Sequence, residues 1–168
     1  MSTHVNTLLD RMAEALRRQP ALQRGEPALV GIHTGGVWVA QRLQQRLGLE
    51  IPLGQLDISF YRDDFSRIGV HPEVKPSSIP FDVEDRPIIL VDDVLFTGRT
   101  IRAAMNEIFD YGRPAAITLA VLVERAGREL PIQAQVVGEH LELAPEQRVK
   151  LRGPDPLRLE IAELEGTR

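Results

Sequence analysis

Two adjacent acids stand close to a small polar turn in the stretch ILVDDVLFTGRT, where an apolar run ends at Asp92 and Asp93. Carboxylates accept hydrogen bonds from hydroxyl groups and attract Mg²⁺, directly or through its waters. The turn at residues 97–100 leads into a predicted helix, whose first N–H groups favour a bound phosphate, and Gly98 lets the backbone approach it closely. A compound that carries a sugar diol near a phosphate satisfies both groups. Ribose 5-phosphate is such a compound.

Other phosphate-binding motifs do not fit this stretch. A P-loop needs Gly, four residues, then Gly-Lys-Ser/Thr, whereas Asp93 stands where the first Gly belongs and Arg99 replaces the Lys. A dinucleotide fingerprint needs Gly-x-Gly-x-x-Gly, and neither this turn nor the GIHTGG stretch at 31–36 has that spacing. The remaining alternative is a strand end closed by a glycine turn, with no ligand.

Alternating strands and helices are predicted around the acids. Apolar runs at 28–32, 87–91 and 115–123 are typical of strands covered on both faces, and 53–61 alternates as a further strand. Helical spacing occurs at about 7–18, 37–48 and 100–111, with Gly48 and Gly112 as stops. This order predicts one α/β domain over residues 1–168, a mainly parallel twisted sheet flanked by helices. Ligands of such sheets bind beyond the carboxyl ends of the strands.

Two further segments have their own patterns. QRVKLRG at 147–153 and PLRLEIAEL at 156–164 alternate with period two, which predicts an antiparallel hairpin at the sheet edge. Residues 62–86 carry three prolines, many charges and no sustained period. A loop of this length is either a functional lid or a solvated excursion.

The composition excludes several classes of protein. The chain has 168 residues, a formal net charge of −4, a pI of about 5.6 and 5% aromatic residues, which argues against a dedicated nucleic-acid module and a base-stacking surface. It has no Cys, which excludes thiol catalysis, Cys-zinc sites and disulfides. Neither a signal-peptide core nor a membrane-spanning run is present. We therefore expect a cytoplasmic protein without membrane contact.

The stretch ILVDDVLFTGRT resembles the phosphoribosyl pyrophosphate (PRPP) motif of the type I phosphoribosyltransferases. LVGIHTGG, LDISFYRDDFSR, TIRAAMNEIFDYGRPAAITLAVLVER and RELPIQAQVVG are similar to members of that family that regulate pyrimidine operons and also act as uracil phosphoribosyltransferases. The resemblance covers residues 29–138. It implies the type I phosphoribosyltransferase fold, with a flexible lid loop and a small hood. It also implies a homodimer or higher homo-oligomer and a Mg²⁺-dependent conversion of uracil and PRPP to UMP and pyrophosphate.

The resemblance assigns roles to particular residues. Asp92 and Asp93 are the catalytic acids, which hold the ribose diol and reach Mg²⁺ indirectly, through ribose hydroxyls or water. The implied PRPP-binding residues are Val94, Leu95, Phe96, Thr97, Gly98, Arg99 and Thr100. The implied pyrophosphate loop is His33, Thr34, Gly35 and Gly36. The lid begins at Tyr61 and Arg62, and Val123, Arg125 and Ile132 belong to a hood over the base.

Two motifs depart from the family pattern. The pyrophosphate loop usually has Arg where this chain has Gly35, and a lost bidentate phosphate contact is worth roughly 1.5–3 kcal/mol. We therefore expect PRPP affinity or turnover to fall about tenfold to hundredfold, unless His33 compensates. The hood usually reads Asp-Arg-Gly-His-Arg, whereas this chain has ERAGR at 124–128. Arg125 is then either a substrate contact or a surface charge.

The regulatory half of the resemblance concerns leader mRNA. In the similar regulators the amino-terminal helix contributes to a basic face that binds this RNA, but here that helix also carries Asp10 and Glu14. Either Arg17, Arg18 and Arg24 form a small basic patch, or the helix face is simply solvated. Two alternatives to the transferase remain open. One is a nucleotide-sensing RNA-binding regulator with little or no transferase activity, and the other is a phosphoribosyltransferase for a purine or another base.

Overall fold

The computed structural model describes residues 2–48, 50–58 and 77–163. The chain begins with α1 (Ser2–Arg17), α2 (Pro20–Gln23), β1 (Ala28–Ile32), α3 (Gly35–Leu47) and β2 (Leu53–Leu56). It continues with β3 (Pro87–Leu95), α4 (Arg99–Tyr111), β4 (Ala116–Arg125), β5 (Val136–Leu141), β6 (Gln147–Arg152) and β7 (Arg158–Glu163). None of the helices in these ranges has the length and apolarity needed to cross a membrane.

The main sheet has five strands in the order β2-β1-β3-β4-β5, and every neighbouring pair is parallel. The predicted parallel α/β sheet is thereby confirmed. From β1 the chain moves to β2 on one side of the sheet. The next connection then crosses back past β1 to β3 on the other side. The boundary between β1 and β3 is therefore a topological switch point, where sheets of this strand order bind ligands.

Helices cover both faces of the sheet, which explains the continuous apolar strands. In β3, Ile89 and Val91 pack into a cluster with α1 and α3, whereas Ile88 and Leu90 pack on the other side against α4. This alternation follows from the two-residue period of a strand. Full burial of each such side chain contributes about 1.5–3 kcal/mol relative to exposure. The sheet is therefore a stable support for the residues at its carboxyl edge.

The prediction of an edge hairpin near the carboxyl terminus was half right. β6 and β7 do pair antiparallel, but they form a separate two-stranded sheet, and the edge of the main sheet is β5. β5 was not predicted, because Gly138, Glu139 and His140 interrupt its pattern. Gly138 is needed there, since a Cβ atom on it would lie 2.5 Å from the carbonyl oxygen of Leu122.

The predicted lid lies largely outside the described residues, and Tyr61 and Arg62 fall there. The described part, 77–86, forms no helix and pairs with the sheet only through a bridge between Ser78 and Gln55. Ser77 Oγ donates to Glu107 Oε1 (2.8 Å) and accepts from the Asp57 N–H (3.1 Å). This stretch is thus attached to α4 and to the residue after β2, and the lid remains a prediction.

Candidate active site

Three loops meet at the carboxyl edge of the sheet, because β1, β3 and β4 are adjacent and parallel. They contain residues 33–34, 96–98 and 126–135. Among the described residues, the buried polar or charged side chains are Asp92, Thr97, Thr118 and Arg125. All of these except Thr118 lie at this edge. Buried polar groups are costly unless they are hydrogen-bonded, so their concentration here indicates a functional site.

The two acids lie near the carboxyl end of β3, which extends past them to Leu95. Asp92 is 1% exposed, and its Oδ1 accepts the N–H of Asp93 at 2.8 Å. Asp93 is only half-buried, and its Oδ1 accepts the N–H of Val94 at 2.8 Å. Local backbone N–H groups therefore hold both carboxylates in place. Asp93 is the more accessible of the two, but both carboxylates lie beside the start of α3, where a Cβ atom on Gly36 would be 3.1 Å from Asp92 Oδ1.

The pyrophosphate loop predicted at 33–36 is only partly a loop, since Gly35 and Gly36 already belong to α3. A Cβ atom on Gly35 would lie 2.1 Å from Asp93 Oδ2. On Gly36 it would lie 2.7 Å from the carbonyl oxygen of Val91. The start of α3 consequently packs directly on the acidic end of β3, and only glycine permits this approach.

The contact between Gly35 and Asp93 bears on why this chain has glycine where the family motif has arginine. The expected loss of a guanidinium at position 35 assumed a side chain free to reach phosphate. In this structure the Asp93 carboxylate occupies the space into which such a side chain would begin. The residue type at 35 is therefore tied to the position of the acid. His33 and Thr34 are half-buried and form the turn before α3.

The turn between β3 and α4 has the geometry expected of a phosphate site. Gly98 is the N-cap of α4 and has a φ of 95°, a left-handed conformation that favours glycine. Thr97 is 6% exposed, and its Oγ1 accepts the N–H of Arg99 at 3.1 Å. The first turn of α4 leaves further N–H groups without intrahelical acceptors, and the helix dipole favours an anion there. Thr100 lies in this first turn.

The other predicted PRPP-binding residues differ in their position and exposure. Val94 and Leu95 are strand residues, and Leu95 is 1% exposed with its side chain in the core against α4. Leu95 can thus offer only its backbone to a ligand. Arg99 is exposed, and its Nε donates to Glu129 Oε1 at 2.8 Å. Phe96 is half-buried between the turn and the segment that follows β4.

The predicted hood lies over this turn, but its three named residues differ in position. Val123 is completely buried in the core, so its side chain does not face the crevice. Ile132 packs over Gly98, where a Cβ atom would lie 3.0 Å from Ile132 Cγ1. Arg125 is 7% exposed, which excludes the alternative of a surface charge and leaves the substrate contact as a prediction. Its burial and, secondarily, Arg148 lower the pKa of the Arg125 guanidinium below its ordinary value.

The role of Arg128 was not predicted from the sequence. Its guanidinium donates to the carbonyl oxygens of Phe96 and Ile132 and pairs with Glu124 Oε1. The other oxygen of Glu124 lies 2.7 Å from His140 Nδ1. Phe96 and Arg128 are 32 residues apart, so no periodicity links them. The basic residue at the end of the ERAGR stretch was the only available signal.

The carboxylates at the site fit a Mg²⁺ ion that arrives with a phosphorylated ligand. Groups of three or more potential metal-ligating side chains are absent from the ranges that the structure describes. Mg²⁺ is usually bound through one or two carboxylates together with phosphate and water oxygens, and does not require a protein cage. Asp92 and Asp93 supply that number of carboxylates.

Comparison with known proteins agrees with this fold. A family profile described as "Phosphoribosyl transferase domain" matches residues 3–145. The purine phosphoribosyltransferase of Pyrococcus horikoshii superposes with a TM-score of 0.63 at 26% identity, covering 83% of both chains. A hypoxanthine phosphoribosyltransferase of Staphylococcus aureus superposes with a TM-score of 0.67 over 98% of this chain and 90% of its own; at 16% identity it supports the fold alone. Fold and site thus define a type I phosphoribosyltransferase.

Relatives with high sequence identity specify the group within that class. The chain is 61% identical to the bifunctional protein PyrR of Nitrosococcus oceani over 170 aligned positions, covering 99% of this chain and 96% of the relative. It is 59% identical to the bifunctional protein PyrR of Pseudomonas paraeruginosa over 155 positions, or 91% of each. The chain belongs to the PyrR family of phosphoribosyltransferases.

Proposed function

We propose that this chain transfers the phosphoribosyl group of PRPP to uracil, giving UMP and pyrophosphate, with Mg²⁺ as cofactor. One observation carries the proposal. The acidic end of β3 lies between two helix N-termini, those of α3 and α4, and the α3 start is in direct contact with Asp93. A ligand with an anionic group at each end and a diol between them matches this arrangement, and PRPP is such a ligand.

The reaction follows from the same groups. The bond between the anomeric carbon and the pyrophosphate oxygen breaks, while a uracil nitrogen forms a bond to that carbon and loses its proton. Positive charge develops on the sugar, and the carboxylates of Asp92 and Asp93 stabilise it. Bound Mg²⁺ would neutralise charge on the pyrophosphate. Backbone N–H groups at the start of α4 orient the 5′-phosphate, and no protein nucleophile is required.

The choice of uracil rests on the resemblance of the chain to uracil-using regulators and on its similarity to PyrR proteins. The same fold serves purine bases in the solved structures, so the base must be tested directly. Purified protein is incubated with PRPP, Mg²⁺ and either uracil, hypoxanthine or guanine, and nucleotides are separated by chromatography. UMP formation supports the proposal. Product from a purine alone overturns the choice of base, and no product with any base overturns the transferase.

We further propose that the chain regulates pyrimidine genes by binding leader mRNA in response to UMP or PRPP. The relatives are named bifunctional, which supports a second activity. The arginines of α1 and the one directly after it are already engaged, however. Arg17 and Arg18 approach Glu14 at 3.3 and 3.8 Å, and Arg11 donates to the carbonyl oxygen of Gly138 at 2.7 Å. This favours the interpretation of α1 as a solvated face rather than a basic patch.

A gel-shift titration tests the regulatory proposal and its alternative. The leader transcript is titrated with protein at two salt concentrations, with and without UMP. Specific RNA binding should weaken with salt, because neutralised phosphates dominate affinity, and it should change with UMP. RNA binding in a protein that forms no UMP would favour the sensing regulator with little or no transferase activity. Absent or salt-independent binding would remove the RNA role.

We also propose a cytoplasmic homodimer or higher homo-oligomer. Among the described residues, Phe109 and Tyr111 on α4 are large hydrophobic side chains that remain 56% and 45% exposed. Exposed apolar side chains of this size are common at contacts between subunits. Light scattering of the purified protein measures the assembly, and a monomer at all concentrations would exclude it.

A further inference from the structure

The segment that follows β4 holds Phe96 from several directions. The guanidinium carbon of Arg125 lies 4.2 Å from the centroid of the Phe96 ring. The backbone at Gly127 approaches the ring edge so closely that a Cβ atom there would lie 2.4 Å from Phe96 Cε1. Arg128 donates to the carbonyl oxygen of Phe96. One short stretch therefore fixes both the ring and the backbone of Phe96, the residue just before the phosphate turn.

Arg125 is itself firmly held from the opposite side. Its Nη1 donates to the carbonyl oxygen of Gln147 at 2.8 Å, at the start of β6. Its Nη2 lies 3.5 Å from the carbonyl oxygen of Ala144. Its Nε is buried, with no hydrogen-bond acceptor among the residues that the structure describes. A buried, incompletely satisfied cation is a costly way to fill space, so packing alone does not account for an arginine here.

The placement of Phe96 is transmitted to the phosphate site. Thr97 is the next residue, and its carbonyl oxygen accepts the N–H groups of Glu129 and Leu130 at 2.9 and 3.2 Å. Its hydroxyl accepts the N–H of Arg99, the first residue of α4. A shift of Phe96 would therefore move the turn and the N–H groups that face the phosphate.

We propose that Arg125 is a positioning residue that clamps Phe96 and thereby preorganises the turn at 97–100 for the 5′-phosphate of PRPP. It acts through the Phe96 ring and does not touch the ligand. The inference rests on the proposed function, because it assigns this turn to PRPP. It adds a tie between the phosphate turn and the beginning of the carboxyl-terminal hairpin.

Arg125→Met is the primary test, since methionine puts an unbranched apolar side chain in place of the planar cation. Displacing a binding group by about an ångström costs roughly tenfold to hundredfold, so we expect the Kd and KM for PRPP to rise by that factor. The KM for uracil should stay unchanged. Arg11→Met is the matched control, because it also removes an arginine bond to a backbone carbonyl of the sheet, far from the turn. It should lower the melting temperature without changing the KM for PRPP.

A double-mutant cycle separates a clamp from general destabilisation. If Arg125 acts only through Phe96, then Phe96→Leu and the double variant should show the same PRPP affinity as Arg125→Met. Fully additive losses would overturn the clamp. So would an equal rise in KM for PRPP in Arg125→Met and Arg11→Met. If Arg125→Met does not fold, Phe96→Leu gives the same test, because it leaves the Arg125 bonds to Gln147 and Ala144 intact.

Two further measurements keep the inference distinct from the proposed function. PRPP binding measured by calorimetry tests the clamp even if wild-type protein forms no UMP. Amide exchange at Glu129 and Leu130 reports directly on their bonds to Thr97 and needs no ligand. Faster exchange in Arg125→Met than in Arg11→Met supports the clamp even if PRPP does not bind. Equal exchange in the two variants would overturn it.

Discussion

A Cβ atom on Gly35 would lie 2.1 Å from Asp93 Oδ2, well inside the van der Waals contact distance. The start of α3 and the acidic end of β3 therefore share a space that only a glycine leaves open. This is the point where the sheet order switches between β1 and β3.

Gly35→Ala should lower turnover while leaving the fold largely intact. The new methyl group meets a side-chain carboxylate, which rotates away from its catalytic position, and we expect a loss of kcat of about tenfold to hundredfold. Gly138→Ala is the control, because its methyl group would meet the backbone oxygen of Leu122 at 2.5 Å and no residue of the proposed site. Backbone yields less than a side chain, so Gly138→Ala should chiefly lower the melting temperature. Full activity in Gly35→Ala would contradict the contact.

Gly35→Arg should not restore the PRPP affinity that the arginine of the family motif is expected to give. From the motif alone, the substitution would improve PRPP affinity by about tenfold to hundredfold through charged hydrogen bonds. Because Asp93 occupies the space next to Cα, we expect the KM for PRPP to rise and kcat to fall. Steady-state kinetics decides between the two, and a clear gain in affinity would favour the motif.

Asp92→Asn combined with Asp93→Asn should reduce turnover by more than about a hundredfold, since stabilisation of positive charge is lost. The fold should persist, because an amide oxygen can still accept the N–H groups of Asp93 and Val94. Circular dichroism and melting temperature check this. Asp110→Asn, the same substitution at an exposed position of α4, is the surface control and should retain wild-type activity. Retained turnover in the double variant would show that the acids are only a strand end.

Gly98→Ala should weaken PRPP binding and also destabilise the chain. A φ of 95° costs a non-glycine residue roughly 1–2 kcal/mol, which corresponds to a few degrees in melting temperature. The methyl group also meets Ile132 at 3.0 Å and so disturbs the phosphate turn. Gly112→Ala, at the other end of α4 with a φ of 152°, should lose stability without a change in KM for PRPP. If both variants alter KM equally, the turn has no special role.

Removal of Mg²⁺ by a chelator should abolish turnover but leave the melting temperature of the ligand-free chain unchanged. The described residues provide no cluster of three metal-ligating side chains, so the ion is expected to bind with PRPP rather than as part of the fold. A marked fall in melting temperature on chelation would instead indicate a structural metal.

Local sequence was sufficient for the part of the site within one strand-turn-helix unit. The apolar run at 87–91, the acids, Gly98 and the amphipathic helix after it are neighbours in the chain. The structure forms the predicted strand, turn and helix in this order, although β3 continues past the acids to Leu95. The parallel sheet also followed, since buried apolar runs alternating with helices have few other arrangements. These features depend on contacts over a few residues or on general rules of chain connection.

The burial of Arg125 could not be predicted from the residues next to it in the sequence. Substrate contact and surface charge were the two alternatives, whereas the structure buries the guanidinium between Phe96 and the carbonyl oxygen of Gln147. Likewise, β5 rather than the carboxyl-terminal hairpin completes the sheet. Its burial depends on Leu8 of α1 packing against Gly138, a contact between distant parts of the chain.

The sequence by itself determined that this protein has an α/β sheet with an acid pair near the end of one strand and a glycine turn that leads into a helix. Short-range spacing and hydrophobic periodicity encode these features. Only the tertiary structure decided that the Asp93 carboxylate lies where a side chain on residue 35 would begin, and that Arg125 packs on the Phe96 ring. Such contacts arise when strands far apart in sequence pack side by side, and their distances depend on the shape of the whole core.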